Sequence, residues 1–382
     1  MIKLMVPSNL VFPDFQNSIV NLGATMAQFL GQKPQHTILP TLSAKLDAKI
    51  KNIVYLVIDG MGTKILEKNL PADSFLRKNQ IQTVTSVFPA TTAAATTALI
   101  SGLTSAQHGW FAWATDFDGA VVELFRNRNY YTEELLTDPN FILKQLPYQT
   151  IWENTNTKRD TYTCFPENCY KNPAKHQLVY QSLRQMLRQL HKICSQPNQK
   201  FIYAYYPDLD TMMHQYGTTA RKPRRLLQKL NRKIAHLVRR APNTLFVITA
   251  DHGQTDVKGY DFFCDDTTLQ NCLAHPISWD GRAACFKVKP GHDAQFKDAF
   301  QKYAQDYTLF KAEDVIKQGL CGYFSQKPDY RKFLGDYLAV GNTSGHIGVL
   351  KKPSSPKKLY RGTHSGMTPD EMYVPVIVAG GE

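Results

Sequence analysis

The sequence predicts an α/β fold, with a mostly parallel central sheet, helices on both faces and a small α+β insertion. Three observations carry that expectation. Short apolar runs end at a carboxylate or at glycine: Asn52–Ile58 before Asp59-Gly60, Phe201–Tyr206 before Pro207-Asp208, Leu245–Ala250 before Asp251-His252-Gly253, and Val374–Ala379 before Gly380-Gly381. These runs lack polar alternation, as strands buried on both faces do. Helical patterns lie between them, and strands alternating with helices build a parallel sheet.

Taken in chain order, Lys64–Leu70 predicts a helix after the first strand and the alanine-rich Ala93–Ile100 a second. In the excursion Trp110–Leu124, the sequence Asp116–Gly119 (DFDG) reads as a hairpin turn. An apolar stripe marks Gln177–Ile193 as helical, and Leu226, Leu230, Ile234 and Val238 recur at i, i+4 in another helix. Residues 260–345 change character, with strands at Ala283–Val288 and Tyr307–Phe310 and helices at Asp293–Tyr303 and Ala312–Lys317. The expected organisation is a core of 1–259 and 346–382 interrupted by a cap subdomain at 260–345.

Composition narrows the functional classes. The chain has 382 residues, 43% of them hydrophobic and 20% charged, an ordinary globular balance. The apolar run Ile53–Ile58 is far short of the roughly 20 residues that cross a bilayer, so no membrane span is expected. Seven cysteines without a CxxC pair exclude a cysteine-ligated zinc module. The first 16 residues, broken by Pro7, Pro13 and Asp14, give no export signal. Reduced thiols and a cytoplasmic location are the expectation.

The formal net charge is +13, which suits an anionic partner. Most of it sits in Arg221–Arg240, which holds nine Lys or Arg and no acid. A solvated basic face accounts for that segment, and a polyanion-binding surface is the alternative. No aromatic residue is interleaved, which argues against a nucleic-acid stacking platform. A second cluster, Lys351, Lys352, Lys357, Lys358 and Arg361, precedes His364 and could rim a site for an anionic substrate.

Ligands of open α/β sheets bind at the carboxyl ends of the strands. Asp59, Asp210 with His214, and Asp251 with His252 follow three strands, and His364 lies in the glycine-rich loop GTHSG before the last. Taken singly, each has a structural reading as a helix cap, turn residue or solvated polar pair. Together they offer six oxygen and imidazole ligands without a thiolate. That set suits zinc or manganese and is enough for two three-ligand sites with open positions. Two such ions can hold both the attacking and the leaving oxygen of a phosphoryl transfer.

Five segments carry a family resemblance: VYLVIDGMG (54–62), SVFPATTAAATTALISGLTSAQHG (86–109), YYPDLDTMMHQYG (205–217), TADHGQ (249–254) and GTHSGMTPDEMYVPVIVAGG (362–381). In these the chain resembles the alkaline phosphatase superfamily, in particular its type I phosphodiesterase/nucleotide pyrophosphatase branch. The resemblance implies one metal held by Asp210, His214 and His364, and a second held by Asp59, Asp251 and His252 with the nucleophile. It implies Thr92 as that nucleophile, with Thr91 one register away. The alanine run after Thr92 would set it at a helix N-terminus, where free amides and the positive dipole end favour phosphate.

The chain departs from the family pattern in three places. Ala95 stands where an asparagine usually bonds the phosphate, and Met213 stands where a glycine precedes the metal histidine. The nucleobase-stacking segment is an alanine run. The phosphoryl oxygens must then be held by metals, backbone amides or a group from elsewhere. A sulfatase would need a CxPxR-type motif, and Cys164-Phe165-Pro166-Glu167-Asn168 lacks the arginine. A phosphomonoesterase or phosphomutase on the same fold ranks below the phosphodiesterase reading.

Overall fold

A computed structural model describes residues 8–167, 169, 174–325, 328–348 and 359–381. Its centre is a seven-stranded sheet built from β1 (Asn52–Ile58), β2 (Gln80–Thr85), β3 (Asp160–Pro166), β4 (His176–Tyr180), β5 (Lys200–Tyr206), β6 (Thr244–Thr249) and, at the chain's end, Tyr373–Gly380. The spatial order is β2, Tyr373–Gly380, β6, β1, β5, β3, β4. Strands β1, β5 and β6 run parallel in the middle and every residue in them is buried, as their unbroken apolar sequences require.

The last strand departs from the expectation, because it runs antiparallel to both β6 and β2. Its N-terminal end therefore meets the carboxyl ends of β1, β5 and β6. This inversion brings the loop holding His364, just before that strand, to the same edge of the sheet as Asp59, Asp210 and Asp251.

Helices flank the sheet. The chain forms α1 (Ile19–Phe29), α2 (Thr63–Asn69), α3 (Thr92–Ser101), α4 (Leu183–Cys194), α5 (Asp208–Tyr216) and α6 (Arg221–Arg240). The α3 helix ends where Gly102 takes a left-handed conformation. The helical reading of Gln177–Ile193 holds only from Leu183, since residues 177–180 belong to β4 and pair with β3. In α6 the buried stripe is Leu227, Leu230, Ile234 and Leu237, with Pro223 and Ala235 also buried and Leu226 and Val238 half-buried beside them. A strict four-residue repeat drifts around a 3.6-residue helix, so the buried stripe alternates three and four.

Within 260–345 lies a four-stranded antiparallel sheet of β7 (Ser278–Asp280), β8 (Ala283–Phe286), β9 (Tyr307–Lys311) and β10 (Tyr337–Gly341), in the order β7, β8, β10, β9. The predicted strand at Ala283–Val288 stops at Phe286, and the helix from Asp293 is α-helical to Phe300. Strands Ala114–Phe117 and Ala120–Glu123 form the expected hairpin, with Asp118 and Gly119 both at positive φ. Trp110, Phe111 and Val122 share an apolar cluster with Trp279, Cys285 and Phe310 of the small sheet. Among the described residues no helix is long and apolar enough to cross a membrane.

Candidate active site

Each predicted ligand reaches one edge of the sheet by a short route. Asp59 follows β1 and Asp251 follows β6 by one residue. Asp210 and His214 are one turn apart on α5, so their side chains share a face. The close packing demands glycine at two points. Gly60 has φ +72° and a Cβ there would come within 3.2 Å of Asp210 Oδ1, while a Cβ on Gly253 would lie 2.0 Å from the Asp370 carbonyl.

The three histidines are oriented alike. His214 Nδ1 lies 2.7 Å from the Gly362 carbonyl, His252 Nδ1 3.0 Å from the Gly253 carbonyl, and His364 Nδ1 3.2 Å from the Ala90 carbonyl. A carbonyl can only accept, so each Nδ1 carries the proton and each Nε2 keeps its lone pair. Those Nε2 atoms face carboxylates. His214 Nε2 is 3.2 Å from Asp210 Oδ2, and His364 Nε2 is 3.8 Å from Asp210 Oδ1. His252 Nε2 lies 3.4 Å from both Asp59 Oδ1 and Asp251 Oδ2. Lone pairs aimed at carboxylate oxygens need a cation between them. This is the arrangement of imidazoles fixed by a second hydrogen bond for metal ligation.

The electrostatics agree. Asp59 Oδ1 and Asp251 Oδ2 are buried and have no hydrogen-bond partner among the described residues. Burial raises the Asp59 carboxyl well above the ordinary value, and Asp251 and Asp210 raise it further. Burial raises Asp251 as well. Burial also opposes ionisation of Asp210; positive charge at His214, His364 and His252 would outweigh it and hold that carboxyl low, and with those rings neutral a cation bound between them supplies that charge. Burial and the neighbouring His252 keep His364 neutral. No Lys or Arg among the described residues pairs with any of the three carboxylates.

Asp210, His214 and His364 bring ligand atoms within 4.8 Å of one another, and so do Asp59, Asp210 and His252. Asp210 thus stands between the two groups, and Asp251 joins the second through His252. Thr92, the first residue of α3, sets its Oγ1 3.2 Å from His252 Nε2. Thr91 is the residue preceding the helix, and its hydroxyl makes no capping bond to the helix amides.

Several contributors escaped sequence reasoning. Tyr205 donates its hydroxyl to Asp59 Oδ2, and Gln254 donates its side-chain amide to Asp210 Oδ1. A phenol near the end of a buried strand was the available signal for Tyr205, shared with Tyr203 and Tyr206 of the same strand, since a buried tyrosine hydroxyl seeks a partner. Burial raises the carboxyl of Asp280 in the small sheet, against the opposing pull of Thr91, Trp113, His252 and His214, and no local motif announces it. Elsewhere, the basic residues of α6 are exposed. Of the second basic cluster, Arg361 donates its backbone N–H to the His214 carbonyl, while Lys351, Lys352, Lys357 and Lys358 lie outside the described residues.

Fold and centre define the class first: an α/β hydrolase of the alkaline phosphatase superfamily. More narrowly, residues 53–318 match the family model of type I phosphodiesterase/nucleotide pyrophosphatase, and the chain belongs to that metal-dependent family of phosphoester hydrolases. Murine ectonucleotide pyrophosphatase/phosphodiesterase 5, solved as an inactive variant in complex with AMP, shares 15% identity at a TM-score of 0.64, covering 86% of this chain and 88% of that one. The human protein of the same name shares 18% at 0.63, covering 86% and 87%. Phosphonoacetate hydrolase from Sinorhizobium meliloti 1021, solved with phosphonoformate, shares 16% at 0.62, covering 86% and 90%. Sequence comparison with curated proteins finds no match.

Proposed function

We propose that the chain is a phosphodiesterase-type hydrolase that holds two divalent ions, zinc or manganese, and works through a phospho-threonine on Thr92. Asp210, His214 and His364 would hold one ion, and Asp59, Asp251 and His252 the other. One observation carries the reading: three imidazoles, each fixed by a carbonyl at Nδ1, turn Nε2 lone pairs onto three buried carboxylates beside a threonine hydroxyl. Bound there, divalent ions supply Lewis acidity toward the hydroxyl, the phosphoryl oxygens and a hydrolytic water. The charge count favours two, since three carboxylates with neutral imidazoles leave −3 to be balanced.

The chain's own groups divide the remaining work. Thr92 Oγ gives up its proton and forms the new bond to phosphorus in line with the ester oxygen that departs and is protonated; water then releases the phosphomonoester and restores the Thr92 hydroxyl. The backbone carbonyls of Gly362, Gly253 and Ala90 keep the imidazoles in one tautomer. The amide end of α3 faces the phosphoryl oxygens, where an N-terminal dipole favours negative charge. Segment 260–345 acts as a cap subdomain on the core of 1–259 and 346–382, and the apolar cluster that Trp279, Cys285 and Phe310 share with Trp110 and Phe111 supports that role. The neighbours' ligands, AMP and phosphonoformate, support a small anionic phosphate ester as substrate. Six cysteines among the described residues are free, as in a reducing cytoplasm.

The test is Thr92→Ala. Turnover of a chromogenic phosphodiester should fall by roughly a thousandfold or more, while metal content stays at the wild-type level. Full activity in that variant would refute the assignment and turn attention to Thr91.

A further inference from the structure

The positive charge of the chain is concentrated on one face of the fold. Helix α4 leads from β4 to β5 and α6 from β5 to β6, crossing the parallel strands in the same direction, so right-handed connections put both on one side of the sheet. There they pack side by side and press apolar stripes into the core, Leu183, Met186 and Leu190 from α4 and Leu227, Leu230 and Ile234 from α6. Their outward sides are basic. All nine Lys and Arg of α6 are exposed, and α4 adds Arg184, Arg188 and Lys192, likewise exposed. Neither helix contains an acid, and among the described residues none of these basic side chains pairs with one. The rest of the chain carries 33 Lys or Arg against 32 acids, so this face holds nearly the whole excess of +13.

Helix stability does not ask for this pattern. Arg184, Arg188 and Lys192 follow one another at i, i+4, as do Arg225, Lys229 and Lys233, and like charges at that spacing weaken a helix. Arg221 and Lys222 open α6, where the positive dipole end favours acids instead. A face that only had to be solvated would mix both signs. One kept uniformly cationic against local preference points to an anionic partner.

The shape of the face selects among anionic partners. Both helices are sunk along their length into the sheet, α6 over about 30 Å, so the surface is broad and shallow. No helix projects from it to enter a nucleic-acid groove, and neither carries an aromatic residue on which bases could stack. Tyr216, at the end of α5, is exposed beside the start of α6, with Lys222 Nζ 4.0 Å from its ring centre and donating to its hydroxyl at 2.7 Å. A phenol flanked by a cation suits the headgroup level of a bilayer. We propose that α4 and α6 form a docking surface for an anionic lipid bilayer. Charge alone would hold it to the headgroup phosphates, because the apolar stripes are committed to the core and none is left to insert. Such docking needs no membrane span and does not depend on the phosphoester reading above.

Sedimentation of the metal-loaded protein with lipid vesicles tests this. Partitioning onto phosphatidylcholine vesicles containing about 30% phosphatidylglycerol should exceed that onto phosphatidylcholine alone by roughly tenfold or more, and should vanish near ~0.5 M salt as the charges are screened. The triple variants Arg184→Gln/Arg188→Gln/Lys192→Gln on α4 and Lys229→Gln/Arg232→Gln/Lys233→Gln on α6 should each weaken it roughly 10- to 100-fold. The replaced side chains are exposed, so neither variant should lower the unfolding temperature. Lys33→Gln/Lys289→Gln/Lys317→Gln removes the same charge from exposed positions elsewhere and should change partitioning by less than about threefold. No preference for anionic vesicles, binding that persists in high salt, or an equal loss in this control variant would overturn the proposal. So would tighter binding to a DNA duplex of about 20 base pairs than to the anionic vesicles, lost in the same helix variants, which would make nucleic acid the occupant.

Discussion

The strongest stability prediction concerns Arg282 and Glu371, which tie the small sheet to the loop that carries His364. Both side chains are fully buried, and they pair in a bidentate fork, Nε to Oε1 at 2.7 Å and a terminal nitrogen to Oε2 at 3.0 Å. Arg282 also bonds the carbonyls of Gly345 and Gly341, and its backbone N–H donates to Ser365 Oγ beside His364. Glu371 in turn accepts from the Gly366 and Thr368 amides and the Thr368 hydroxyl. Arg282→Met strands a buried carboxylate, a loss of about 3–5 kcal/mol in comparable pairs. The three remaining donors to Glu371 argue for the low end, about 3 kcal/mol. Replacing both, as Arg282→Met with Glu371→Leu, leaves no unpaired charge but orphans the Gly366 and Thr368 donors. It should cost less than the single change, about 1–3 kcal/mol. Urea unfolding of the metal-loaded proteins reads both. A single-variant cost below about 1 kcal/mol, or a double variant worse than the sum of the singles, would refute the reasoning.

Two further predictions concern buried polar groups. Tyr205→Phe removes the hydroxyl donor to Asp59 and should weaken metal affinity by roughly 10- to 100-fold with little change in fold, measured by competition with a chelator; unchanged affinity would deny Tyr205 a part in holding Asp59. His108 is fully buried, and burial pushes its pKa down to about 3. Its folded form is thus neutral, whereas the unfolded chain takes up a proton below the ordinary value of 6.5. Stability should therefore fall with pH from that value toward about 3, by about 1.4 kcal/mol per such histidine near pH 5.5. His108→Asn should remove that share of the slope in urea unfolding, and an unaltered slope would show that His108 is not held neutral.

The parts of the fold readable from sequence were those where local pattern and tertiary environment agree. Strands β1, β5 and β6 are apolar through their centres because both faces are covered, so their ends, and Asp59 and Asp251 after them, stood out. The edge strand Gln80–Thr85 alternates polar residues and did not. Residues 177–180 were absorbed into the helical stripe that follows them, because a five-residue strand beside β3 has no periodicity of its own to set against it. The antiparallel course of Tyr373–Gly380 is a matter of chain path, which composition does not encode, yet it decides where His364 lands. Tyr205, Gln254 and Asp280 act through contacts remote in sequence. The partners of Tyr205 and Gln254 lie 146 and 44 residues away, beyond the reach of any local pattern.

The central claim is that six side chains gathered from four parts of the chain hold two ions beside Thr92. The most direct measurement is an anomalous-difference map from crystals of the zinc-loaded protein. Two peaks are expected, about 3.5–4 Å apart. One should touch Asp210, His214 and His364, and the other Asp59, Asp251 and His252 with Thr92 Oγ1 at its open side. A map with no peak there, or with its zinc bound away from these residues, would contradict the account.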